Sequence, residues 1–111
     1  MNEGFSIERA EPWGLEVDPV ITSTIKATLN DIFGRSVTRS INKAMKAYSC
    51  NWEEVPCKAW LFSELLRRVI GEGHVIVEDL ILENLYEKIG LEYEYIKGYE
   101  FHNYIEKIRI K

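Results

Sequence analysis

Four cations at helical spacing are the most chemically suggestive feature of this 111-residue chain. Arg35, Arg39, Lys43 and Lys46 follow one another at steps of four, four and three, which sets them along one face of a helix, with Ser40 and Asn42 close by. On the second helix of a helix-turn-helix-like pair, such a row would meet the phosphates of a nucleic acid. It would equally serve as a solvated face whose cations pair with carboxylates of the same fold or of a partner subunit. Residues 1–17 carry −3, residues 18–50 carry +3 and residues 51–111 carry −4, within a net charge of −4. Duplex phosphates would be repelled by the larger acidic surface, so the row is read as a partner or phosphate contact with a protein partner favoured over nucleic acid.

Other chemistry-bearing residues are less well arranged. Cys50 and Cys57 stand seven apart with His74 and His102 distant in sequence, which matches none of the tight pairs that build zinc sites, so both read as free, buried or half-buried thiols. Gly71-Glu72-Gly73 precedes a helical pattern, but no strand comes before it and no third glycine or lysine follows at phosphate-loop spacing. A tight turn between helices is the better reading. His74 has no cysteine or serine nucleophile fixed beside it by spacing. No catalytic residue, cofactor site or metal ligand is assigned, and an enzyme is not expected.

Aromatic residues are a further resource. Tyr93, Tyr95, Tyr99, Phe101 and Tyr104 crowd the carboxy-terminal fifth, interleaved with Glu92, Glu94 and Glu100, which would oppose a phosphate backbone. They read as a seam that seals the bundle or a subunit contact. Trp13, Trp60, Tyr93, Tyr95 and Tyr99 are the candidate interface residues; Trp13 and Phe5, on an amino-terminal arm, would pack on the body or on a neighbouring chain.

The elements that position these side chains follow from periodicity and punctuation. Residues 1–17 contain Gly4, Pro12 and Gly14 with alternating apolar positions, which predicts an irregular or extended arm, and residues 18–111 form the helical domain. Asp18-Pro19 reads as the cap and first residue of a helix whose stripe is Ile21, Ile25, Leu29, Ile32 and Phe33, ended by a left-handed Gly34. Ser36 would cap a second helix burying Val37, Ile41, Ala44, Met45 and Tyr48. Asn51 to Pro56 forms one capped turn. A third helix spans about Lys58 to Ile70, with Phe62, Leu65, Leu66, Val69 and Ile70 inward and Trp60 and Leu61 widening its apolar face. A fourth buries Ile76, Val77, Leu80, Ile81, Leu85 and Ile89 and stops at Gly90. An extended connector then leads to a short last helix with Phe101, Tyr104, Ile105 and Ile108 inward.

Composition frames this as one all-α domain, a compact bundle of about five helices. At 46% hydrophobic and 29% charged it has ordinary globular makeup. Its longest uncharged run, Pro19 to Ile25, falls far short of the roughly 20 apolar residues that cross a bilayer, so no membrane partner is expected. The amino terminus lacks the basic start and apolar core of a secretory signal, which points to the cytoplasm.

From Asp31 onward, with Leu29 just before it, the chain resembles a family of small archaeal helical proteins described as a Nitrosopumilus-type output domain of unknown function. The residues that carry the resemblance are Leu29 with Ile32-Phe33-Gly34-Arg35-Ser36, Phe62 with Leu65 and Leu66, Ile70-Gly71-Glu72-Gly73, and Leu80-Ile81 with Leu85 to Leu91. About two thirds of the chain is covered; the amino-terminal arm and the cysteine-bearing loop depart from the pattern. The resemblance implies an all-helical fold and use as a signalling or interaction module, and it transfers no active site. The expectation is a non-enzymatic, homodimeric interaction module, with nucleic-acid binding through Arg35, Arg39, Lys43 and Lys46 as the alternative.

Overall fold

Val17, Ile21, Ile25 and Leu29 recur every fourth residue and are all buried, and this stripe holds together the longest helix of the protein, α1 (Pro12–Phe33). The computed structural model describes residues 12–110, with side chains from Val17 onward. The predicted arm therefore lies outside the described residues up to position 11, as do Phe5 and the side chain of Trp13. Residues 12–17 are helical, which corrects the expected start at Asp18-Pro19. Pro19 lies inside α1, where a proline lacks a donor and crowds the preceding turn at a cost of about 3 kcal/mol. The apolar stripe continues across it, and burying each such side chain returns roughly 1.5–3 kcal/mol. Asp18 is accordingly no cap.

Gly34 alone links α1 to α2 (Arg35–Ala47). Its φ of 78° has the predicted sign, but its ψ of −164° lies outside the left-handed helical well, in a region essentially reserved for glycine. That geometry lets one residue end α1 and begin α2. Ser36 is consequently inside α2 rather than its cap. Ile41 and Met45 are buried and Val37 and Ala44 half-buried; Tyr48 is exposed, as is Ile32 of α1, both against expectation.

Asn51 caps the 3-10 turn Trp52–Glu54 as its type predicts, accepting from the Glu54 amide at 3.2 Å while the Glu54 carboxylate accepts from the Asn51 amide at 3.1 Å. Helix α3 (Ala59–Ile70) and helix α4 (His74–Lys88) are joined by the 3-10 turn Gly71–Gly73. Gly90 ends α4 with the paired bonds of a Schellman motif, Leu91 N–H to Tyr86 O and Gly90 N–H to Glu87 O. Residues 91–100 form the expected connector, and α5 (Phe101–Arg109) buries Phe101, Tyr104, Ile105 and Ile108. All five α-helices pack around one core. Helix α1 lies against α2, α4 and α5, and α3 lies against the same three.

Helix α4 carries the most consequential correction. Its inward residues are Val77, Glu78, Ile81, Leu82, Leu85 and Tyr86, whereas Ile76, expected inside, is 67% exposed and Leu80 is also at the surface. The helix has apolar residues nearly all round, at Val75, Ile76, Val77, Leu80, Ile81, Leu82 and Leu85, so periodicity alone admits more than one rotational phase. Packing against α1 and α3 selects the phase that turns Glu78 inward. Asn84 then reaches α1, donating from Nδ2 to Thr28 Oγ1 at 3.0 Å.

Candidate functional site

A groove of about 460 Å³ opens between α3, the first half of α4, the connector and the start of α5. That volume falls inside the range of roughly 300–1,000 Å³ usual for ligand sites. Helix α3 contributes Trp60, Ser63, Glu64 and Arg67, which share one face because they are spaced by three, one and three. Helix α4 contributes His74, Glu78 and Leu82 at steps of four, with Val75 and Asp79 beside them. The short Gly71–Gly73 turn keeps these two faces adjacent.

The connector is fixed to the bundle by aromatic contacts. Tyr93 packs on Tyr86 at 5.3 Å and on Tyr104 at 5.4 Å between ring centroids, and Tyr99 meets Tyr104 at 5.0 Å. Centroid spacings of this order, in tilted or edge-on poses, are favourable for aromatic pairs. Tyr104 Oη accepts from the Ile96 amide at 2.7 Å, and Tyr93 Oη donates to Asp79 Oδ1 at 3.3 Å. Burial, with the Asp79 carboxylate next in weight, pushes the Tyr93 phenol upward and keeps it a neutral donor.

Glu78 is the unusual member. It is only 7% exposed, and its Oε2 accepts from Ser63 Oγ. Among the described residues no donor reaches Oε1. Burial pushes its carboxyl above the usual carboxylate range, while the Ser63 hydroxyl and His74 pull it back and Asp79 and Glu100 add to the rise. Glu64 is held below its ordinary value by the hydrogen bond from Arg67 Nη2, at 2.6 Å. His102 Nδ1 lies 3.7 Å from Glu100 Oε1, and the His74 ring is tied to the Gly71 carbonyl at 3.1 Å. Four carboxylates and one guanidinium thus line the groove.

Four of the five candidate interface residues, Trp60, Tyr93, Tyr95 and Tyr99, come together in this groove. The fifth, Trp13, has no described side chain. Trp60 is 57% exposed, Val75 53% and Tyr95 79%, all at the rim. The basic row stands elsewhere: Arg35, Arg39, Lys43 and Lys46 are all exposed on α2, and among the described residues none lies within ion-pair distance of a carboxylate.

Neither cysteine joins the groove. Cys50 is buried, which pushes its thiol upward, and Cys57 is exposed beside Arg109, whose Nη2 donates to its Sγ at 3.3 Å. Among the described residues no three His, Cys, Asp or Glu side chains converge as a metal cage. Both histidines do line the groove, a convergence that their separation in sequence concealed. Sequence reasoning also missed Glu78 and Ser63. The available signal was Glu78 flanked by Val77, Ile81 and Leu82, a carboxylate inside an apolar stripe once the other phase of α4 is considered.

Comparison with protein-family models, with curated proteins and with solved structures gives no match to this chain. Among the described residues, no helix is long and apolar enough to cross a membrane.

Proposed function

We propose that this chain is a non-enzymatic helical interaction module of the signalling-output kind, acting through surface contact at the groove, and that it self-associates as a homodimer. The carrying observation is the set of large apolar side chains left at the groove rim, Trp60, Val75 and Tyr95, beside the half-sealed tyrosine seam. Exposed apolar surface gathered around a concavity and rimmed by charge marks a contact site. Light scattering tests it: the expected mass is near twice 13.0 kDa, returning toward 13.0 kDa when Trp60 and Tyr95 are replaced by alanine. A strict monomer across micromolar concentrations overturns it.

One observation favours a second reading, nucleic-acid binding by α2. The four cations of its row project into solvent without a carboxylate partner among the described residues, leaving them available to phosphates. Duplex or single-stranded DNA binding that weakens steeply with added salt, and that is lost in the double variant Arg39→Glu, Lys43→Glu, would support it. Salt-independent or absent binding rejects it.

A further inference from the structure

The groove combines three properties. It is lined by exposed aromatic faces at Trp60 and Tyr95 and by the half-buried ring of Tyr93; its carboxylates outnumber its one guanidinium four to one; and its floor holds a carboxylate more than nine-tenths buried with one oxygen unpaired among the described residues. Anions and neutral acceptors meet repulsion or no donor at Glu78 Oε1. A cation meets both an ion-pair partner and π faces, and aromatic rings attract ammonium groups within about 6 Å of their centroids. Arg67 does not neutralise the site, because its guanidinium is engaged by Glu64 at 2.6 Å.

We infer that the groove is a receptor for an alkylammonium group, and that its occupant is a lysyl side chain carried by a partner polypeptide. The ammonium approaches Glu78 Oε1 while its four-carbon stem lies along Trp60 and the connector tyrosines. A polypeptide is preferred to a free amine on volume. The groove of about 460 Å³ lies within the roughly 300–1,000 Å³ range of sites for larger ligands, more than a lone alkylammonium fills, and the mouth at Tyr95 is open for main chain to pass. This inference rests on the contact role proposed above and names the chemistry of the partner.

The test is titration of the full chain with blocked Nα-acetyl-lysine methylamide, read by the Trp60 indole N–H resonance and by tryptophan fluorescence. Nα-acetyl-norleucine methylamide serves as the neutral isostere and n-butylammonium chloride as the free amine. The lysine derivative is expected to shift the Trp60 signal saturably, with norleucine silent and butylammonium weaker. Glu78→Gln preserves the acceptor for Ser63 and should weaken binding at least about tenfold, as loss of a charge-assisted bond does. Trp60→Ala removes a surface side chain whose loss leaves the core intact and should weaken binding about three- to fivefold, so the inference stays testable even if the Glu78 variant misfolds.

Equal binding of norleucine, or no weakening in a folded Glu78→Gln variant or in Trp60→Ala, overturns the inference. Equal binding of butylammonium reassigns the groove to free amines and overturns the polypeptide occupant. The contact role fails separately. If lysine does not bind yet Trp60→Ala and Tyr95→Ala dissolve the dimer, only the ligand chemistry is wrong; if the chain is monomeric while lysine binds, only self-association is wrong.

Discussion

Arg109 holds both carboxylate oxygens of Asp18, Nε to Oδ1 at 2.8 Å and Nη2 to Oδ2 at 3.1 Å, across 91 residues of chain. The pair joins the last helix to the first in the fork geometry that makes arginine–carboxylate contacts specific. Both side chains remain about a third exposed, so solvent screening limits the contribution to about 1 kcal/mol or less. Asp18→Asn should lower unfolding free energy by that amount and accelerate amide exchange across Phe101–Arg109, with the difference shrinking in 1 M salt. Unchanged exchange in α5 would mean the pair does not anchor the helix.

Glu78 should impose a pH dependence of opposite sign to that of an ordinary surface carboxylate. Its pKa in the fold is raised above the ordinary 4.5, so folding favours the protonated form. Its stabilising contribution is complete below about 4.5 and is lost as pH rises through the higher folded value. The groups that act on it are Ser63 from α3, His74 and Asp79 from α4, and Glu100 at the start of α5. Glu78→Gln cannot titrate, so urea unfolding of both proteins between pH 4 and 8 should show the variant gaining stability relative to the parent as pH rises. Glu64, whose depressed pKa acts in the opposite direction, is present in both proteins and cancels. Parallel curves would remove the raised carboxyl from the account.

Backbone conformation predicts two changes of opposite sign. Ser49 adopts φ of 53° at the end of α2, where Cys50 N–H reaches Met45 O at 2.9 Å and Ser49 N–H reaches Lys46 O at 3.0 Å. Glycine suits that left-handed position better, and Ser49→Gly should raise stability by about 1 kcal/mol. Gly34→Ala should lower it by about 1–3 kcal/mol. A methyl group at Gly34 meets nothing within 4 Å, so backbone strain would be the whole cause. Thermal melts of the two variants should move in opposite directions.

Thr24 is buried with its Oγ1 unpartnered among the described residues, although its carbonyl accepts from Thr28 Oγ1 at 2.8 Å. Thr24→Val keeps the shape and removes a hydroxyl that lost water on folding. A gain of up to about 1 kcal/mol is expected in denaturant unfolding. A clear loss would show that the hydroxyl finds a partner in solution.

Much of the helical layout was legible in the sequence because its causes are local. The apolar period of α1, α2, α3 and α5, the glycines at 34, 71, 90 and 98 that take positive φ, and the Asn51 cap depend on residues within one or two turns of each other. The alternating Tyr and Glu residues that follow Gly90 carry a strand-like signal, and an extended connector was the reading only because the sequence offers no comparable second strand to pair with it. The choice of Trp60, Tyr93, Tyr95 and Tyr99, which the structure brings to the lining of one groove, rested on residue type alone, since large aromatic side chains tend to be covered.

Tertiary packing decided what the local pattern left degenerate. Apolar residues on nearly every side of α4 fit more than one rotation, and only the neighbours α1 and α3 select the one that buries Glu78 and exposes Ile76. Continuous burial from Val17 to Leu29 carries α1 through Pro19 against the local preference for a break, and Asp18 finds its partner in the last helix. The groove is equally a tertiary product. Its histidines, serine, carboxylates and aromatic rings belong to separate elements, and no spacing along the chain encodes the approach of side chains whose distance is set by how helices pack.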